Sequence, residues 1–197
     1  TGNGGVAVGT GAVADGTDAV AIGSDDAGAA PATATGPSTT AVGGESVATG
    51  PGASAYGWQS MATGERATAL GHLATAQGVR SVAVGENADA QTDNATAIGN
   101  ESIANGIDAL AVGDTAMAMG NSTSAIGGES VATGPGASAF GWQALATAER
   151  ATAVGHLATA QGVRSVAIGE NADAQTDNAT AIGNESIANG IDALAVG

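Results

Sequence analysis

The sequence predicts an all-β protein, a parallel β-roll or solenoid wound from 14-residue, two-strand coils. Three observations lead there. A glycine closing an Ala–(large apolar)–Gly triplet recurs at Gly9, Gly23, Gly43, Gly57, Gly71, Gly85, Gly99, Gly113, Gly127, Gly141, Gly155, Gly169, Gly183 and Gly197; twelve of its thirteen steps span 14 residues and one spans 20. A 14-residue unit is too short for a helix-bearing repeat, yet it suffices for two strands of about five residues and two tight turns. Only four aromatics (Tyr56, Trp58, Phe140 and Trp142) stand against 33 Gly in 197 residues, so a single thick globular core is excluded.

The first strand of each coil ends at the closing Gly. The residue before that Gly is large and apolar (Val8, Ile22, Val42, Tyr56, Leu70, Val84, Ile98, Val112, Phe140), and the one before it is Ala in all 14 triplets. One step further back stand Val6, Ser54, Thr68, Val82 or Leu110. Both faces of this strand are therefore apolar or small, with period-two alternation. A strand apolar on both sides needs a layer beyond its own coil. Identical subunits supply it best, with the first strands turned toward a common axis.

In the second strand, positions three and five after the Gly are small (Ala74 and Ala76, Ser102 and Ala104), while the residue between them varies freely: Val47, Met61, Thr75, Asp89, Ile103. That pattern has one buried and one solvated face. Glycines seven after the closing Gly (Gly16, Gly50, Gly64, Gly78, Gly106, Gly120, Gly134, Gly162, Gly190) are expected to take positive φ in the opposite turn. Thr92, Ala148 and Thr176 replace them elsewhere. The 20-residue step places a six-residue insertion within 24–42, and the Pro-containing stretch Asp25–Pro37 is read as a loop bulging from one coil.

The whole of 1–197 reads as one repetitive domain of 13 coils with an internal duplication: 44–113 and 128–197 differ at six of 70 positions. These are Tyr56/Phe140, Ser60/Ala144, Met61/Leu145, Gly64/Ala148, Leu70/Val154 and Val84/Ile168, all mild changes. The offset of 84 is a whole number of coils, so the copies stay in phase.

Charge and composition limit function. Nineteen Asp and Glu oppose four Arg and no Lys, a net −15, which excludes nucleic acid and an anionic membrane as electrostatic partners. No apolar run approaches the ~20 residues that span a bilayer. With no Cys, disulfide scaffolds and thiolate metal sites are excluded.

The segment Asn94-Ala95-Thr96-Ala97-Ile98-Gly99-Asn100-Glu101-Ser102-Ile103-Ala104-Asn105-Gly106-Ile107-Asp108-Ala109 resembles the head repeat of YadA-like trimeric autotransporter adhesins, N-S-V-A-I-G-x-x-S-x-A-x-G-x-x-A. Ser81–Gly85 and Ser165–Gly169 carry its first half closely. The resemblance spans essentially the whole chain, departing at the insertion and at Thr92, Ala148 and Thr176. It implies a left-handed roll, an intertwined homotrimer, and display from a Gram-negative outer membrane after export. The signal, neck, stalk and barrel anchor of such proteins are expected to lie outside this fragment.

No catalytic constellation emerges: His72 and His156 are one position in two copies, and nothing sets a nucleophile beside a base. No cofactor and no metal site is expected, since Asp25-Asp26 reads as a solvated acidic pair. Two columns stand out instead. Trp58 and His72, then Trp142 and His156, follow the closing Gly in successive coils. All four arginines, Arg66 and Arg80, then Arg150 and Arg164, lie nine after it. These eight residues form a candidate aromatic and cationic ligand patch, displayed twice along the rod. The competing structural reading packs the tryptophans between subunits and pairs the arginines with Glu65, Glu149 or acids of another chain. The expected function is a non-enzymatic adhesin head that binds host extracellular-matrix or cell-surface molecules multivalently, without direct membrane contact. The alternative is a structural spacer that holds another tip domain away from the cell. An ice-binding face is set aside because its Thr ladder (Thr49, Thr63, Thr133, Thr147) is broken by Gln77, Gln91, Asn105 and Met119.

Overall fold

The computed structural model describes residues 2–24 and 30–197. These form an all-β parallel solenoid of about thirteen turns with no helix among the described residues. Strands of three and two residues alternate, from Val6–Val8 to Leu194–Val196. They are shorter than the five residues expected, because each coil twice takes a left-handed residue that ends an extended run. These lie two and nine residues after the closing Gly, as at Gln59 (φ 54°) and Arg66 (φ 57°). In that conformation each N–H points along the stack rather than within the coil. Leu73 donates to the Trp58 carbonyl at 3.0 Å, and Arg80 to the Glu65 carbonyl at 2.8 Å, each one coil earlier. Both turns are thereby tied to their neighbours by the same ladder that joins the strands.

Two compact units divide the chain, Thr1–Glu101 and Ser102–Gly197. Within the first, the three-residue strands pair in parallel from Val6–Val8 to Thr96–Ile98, Ala always opposite Ala. The two-residue strands run likewise from Val13–Ala14 to Asp89–Ala90 in a second sheet. The second unit repeats this plan from Leu110–Val112 to Leu194–Val196 and from Ile103–Ala104 to Ile187–Ala188.

The register narrows the place of the insertion. Val20–Ile22 pairs with Thr40–Val42 and Val13–Ala14 with Thr33–Ala34, so the six extra residues lie between Ile22 and Thr33. Pro37 belongs to an ordinary turn, at the position of Pro51 and Pro135. The proposed bulging loop and Asp25-Asp26 fall largely on 25–29, outside the described residues.

Four small side chains per coil fill the interior. In the coil after Gly57 these are Ser60, Ala62, Ala67 and Ala69, all with no exposed surface. Buried hydroxyls turn back on their own turns: Ser60 donates to the Gly57 carbonyl at 2.9 Å, and Thr39 to Gly36 at 2.7 Å. Ser81 and Ser165 are exceptions, with no partner for Oγ, as are Thr92, Thr115 and Thr176 with buried Oγ1 atoms. Side chains on the outer side of the three-residue strands stay in solvent. Leu70, Tyr56, Ile98, Phe140, Ile168 and Ile182 are all among the exposed large apolar residues, Leu70 at 47%.

The closing glycines meet two demands at once. From Gly9 to Gly183 their φ lies between 123° and 153°, and a Cβ on Gly71 would sit 2.3 Å from the Gly85 carbonyl oxygen. The glycines of the opposite turn correct the sequence expectation: Gly64, Gly78 and their equivalents do not take positive φ. They are there for close backbone approach, since a Cβ on Gly64 would lie 2.0 Å from the Gly78 carbonyl oxygen. The left-handed residue of that turn comes two positions later, where Arg66, Arg80, Asn94 and Asp108 stand.

Candidate binding surface

The first turn of the coil builds an aromatic column. Trp58 follows its closing Gly directly, and the one-coil offset sets His72 on the next layer with ring centroids 4.9 Å apart and planes 15° from parallel. Below it, His72 Nδ1 lies 3.3 Å from Glu86 Oε1. On the other side of the indole is Gly44, where an added Cβ would lie 3.4 Å from the ring. The second unit has the same column: Trp142 stacks on His156 at 4.9 Å and 15°, and His156 lies 3.3 Å from Glu170. Gln59 donates to Glu45 at 2.5 Å beside the first column, and Gln143 to Glu129 at 2.6 Å beside the second. These contacts are part-exposed, so each ring stack contributes about 0.5–1 kcal/mol and each polar pair less. One indole face is covered by the imidazole, leaving the ring edges and the polar turn residues to meet a ligand.

The opposite turn carries the arginines. A coil leaves one sheet at the C-terminal end of a strand and re-enters it at the N-terminal end, so its two turns lie at opposite edges. Arg66 precedes strand Thr68–Leu70, whereas His72 follows it. Within the first unit the length of the three-residue strand lies between Trp58 and His72 on one turn and Arg66 and Arg80 on the other; within the second it lies likewise between Trp142 and His156 and Arg150 and Arg164. Arg66 lies 3.6 Å from Glu65 and Arg150 3.8 Å from Glu149, with both arginine side chains more than 60% exposed. Arg80 and Arg164 make no ion pair within 4.0 Å among the described residues.

Sequence reasoning left Glu86 and Glu170 out of the patch. The signal was available, because both occupy the tryptophan column two coils on. Among the described residues, no group of three or more His, Asp or Glu could hold a metal ion. The contacts found for the two histidines are with an indole and a carboxylate.

These features define a repetitive parallel β-roll with ladders of side chains on its turns. The sequence model of the YadA head domain repeat (2 copies) matches at 1–25 and 34–60 and then in overlapping windows from 62–88 to 174–197, and the chain belongs to that family. The crystal structure of the collagen-binding domain of the Yersinia adhesin YadA is similar at 30% identity and a TM-score of 0.54, over 61% of this chain and 67% of that one. No curated protein sequence matches. Membership in a family of adhesin heads implies a non-enzymatic role.

Proposed function

We propose that this chain is the head of a trimeric surface adhesin that attaches a Gram-negative cell to host extracellular matrix. The observation that carries the reading is the shared coil: the same 14-residue roll forms a domain described as collagen-binding in the Yersinia adhesin YadA. Matrix collagen is accordingly the first ligand to test. Assembly rests on the outer side of the three-residue strands, where Tyr56, Leu70 and Ile98 form an apolar column with no partner in one chain. Contiguous apolar surface of that kind marks an interface. Three copies turned toward a common axis bury it and give each ligand site threefold multiplicity, so weak contacts sum to avidity.

Sedimentation equilibrium together with binding to immobilised collagens, laminin and fibronectin tests the proposal. Three times the chain mass and saturable binding to a matrix protein are expected. A folded monomer sinks the assembly, and uniform failure to bind sinks the adhesin reading. One observation favours a spacer in that event. The two 70-residue copies differ at only six mild positions, as whole coils added for length would.

A further inference from the structure

The two side-chain columns lie on the two edges of the same apolar face. The residue nine after a closing Gly and the residue just after the next closing Gly flank one three-residue strand. Gly52 and Trp58 flank Ser54–Tyr56, Arg66 and His72 flank Thr68–Leu70, and Arg80 and Glu86 flank Val82–Val84. In the second unit Gly136 and Trp142, Arg150 and His156, and Arg164 and Glu170 do the same. Within one chain the members of a pair stand at opposite ends of the three-residue strand, on the two edges of its face. In a ring of identical chains facing a common axis they must approach. Every interface of such a ring is heterologous and joins the leading edge of one chain to the trailing edge of the next. Rotation about an axis parallel to the coils moves no layer up or down, so each layer meets its own equivalent.

We propose that the arginine edge of one chain docks on the Trp–His–Glu edge of a second copy and sets the register of the assembly. This rests on the trimer reading above and adds its side-chain contacts. In the docked edge, Arg80 donates to Glu86 of the next chain, a carboxylate already held on its far side by His72. Arg66 lies against the imidazole stacked on Trp58, where a planar guanidinium packs well. The indole falls beside Gly52, whose open side is lined by the stem of Arg66, with Cγ 3.6 Å from where a Cβ would lie. Charge matches on the Arg80 layer, where the cation faces Glu86, and shape on the Gly52 layer, where the largest side chain faces a glycine.

The arginines stand on adjacent layers, and Arg80 makes no ion pair within 4.0 Å among the described residues, which leaves its guanidinium open to an acid of another chain. The match belongs to the arginine layers alone, for the same rule sets Asp108 opposite Asp114.

The chain has no Cys, so Arg80→Cys combined with Glu86→Cys is a clean cross-linking variant. A short bis-maleimide, which spans the gap that the Arg and Glu side chains fill, should yield a covalent ladder ending at trimer on a denaturing gel, whereas Arg80→Cys with Thr75→Cys should not. In parallel, Arg80→Glu with Arg164→Glu should lower the midpoint of thermal dissociation, and adding Glu86→Arg with Glu170→Arg should restore it. A protein that sediments as a trimer yet neither cross-links at 80 and 86 nor responds to the charge swap overturns this inference and leaves the trimer intact. In that case, loss of retention on immobilised heparin by the Arg→Glu variant would assign the arginines to an external anionic ligand instead. A monomer in sedimentation overturns the trimer reading itself.

Discussion

At Gly71 two constraints meet, a φ of 142° and a carbonyl oxygen where a Cβ would go, whereas Gly64 meets only the second. Gly71→Ala should therefore cost about 3 kcal/mol, read as a lower midpoint in urea. Gly64→Ala should cost less than half of that, because Ala148 fills the equivalent place in the second copy and the turn there accepts a methyl group. Equal losses for the two variants would contradict this division of roles. Thr115 is the opposite case. It is β-branched at φ 52°, and its Oγ1 is buried without a partner. Asn87 and Asn171 occupy the same turn position with a residue that tolerates it. Thr115→Asn should raise stability by about 1 kcal/mol, and a fall in the midpoint would sink the account.

The single coil is an element whose thickness is set by alanine. Ala69 has no exposed surface and lies opposite Ala55 and Ala83 in the ladder, with no room for a longer side chain. Ala69→Leu should destabilise by about 3 kcal/mol through overpacking. Ser81→Ala should do the reverse, gaining about 1 kcal/mol, since it removes a buried hydroxyl with no partner. Ser60→Ala is the control: that hydroxyl does donate to Gly57, so no comparable gain is expected. Denaturant midpoints for the three variants decide the matter, and a stabilised Leu variant would refute a thin, filled core.

For the whole molecule the weak point is the outer face of the three-residue strands. Ala burial stabilises each coil modestly, because the area removed from water per residue is small. The large apolar side chains that could contribute more stand outward, unburied in the single chain. Leu70→Asp combined with Val154→Asp should abolish assembly while leaving the coil itself folded, because both positions point away from the interior. Sedimentation velocity and far-UV circular dichroism together read this. A variant that stays trimeric would move the interface to another face, and one that unfolds as a monomer would show that the coils need their partners to fold.

Much of this molecule was legible in its residues, for a specific reason. A parallel ladder repeats one chemistry at one spacing, so the 14-residue period alone aligned Ala7 with Ala21 and Ala83 with Ala97, and it placed Trp58 beside His72. The small residues at positions three and five after the closing glycines marked the buried face of the second strand in the same way. What the period could not reveal was backbone conformation in the second turn. There the left-handed φ falls on Arg66, Arg80 and Asp108 rather than on the preceding glycines, because an N–H must reach the carbonyl one coil back. Residue type carries little trace of that demand. Nor does a column index tell which edge of a strand it borders. Only the path of the folded coil separated the arginines from the tryptophans, since opposite edges arise from the chain's return between two sheets.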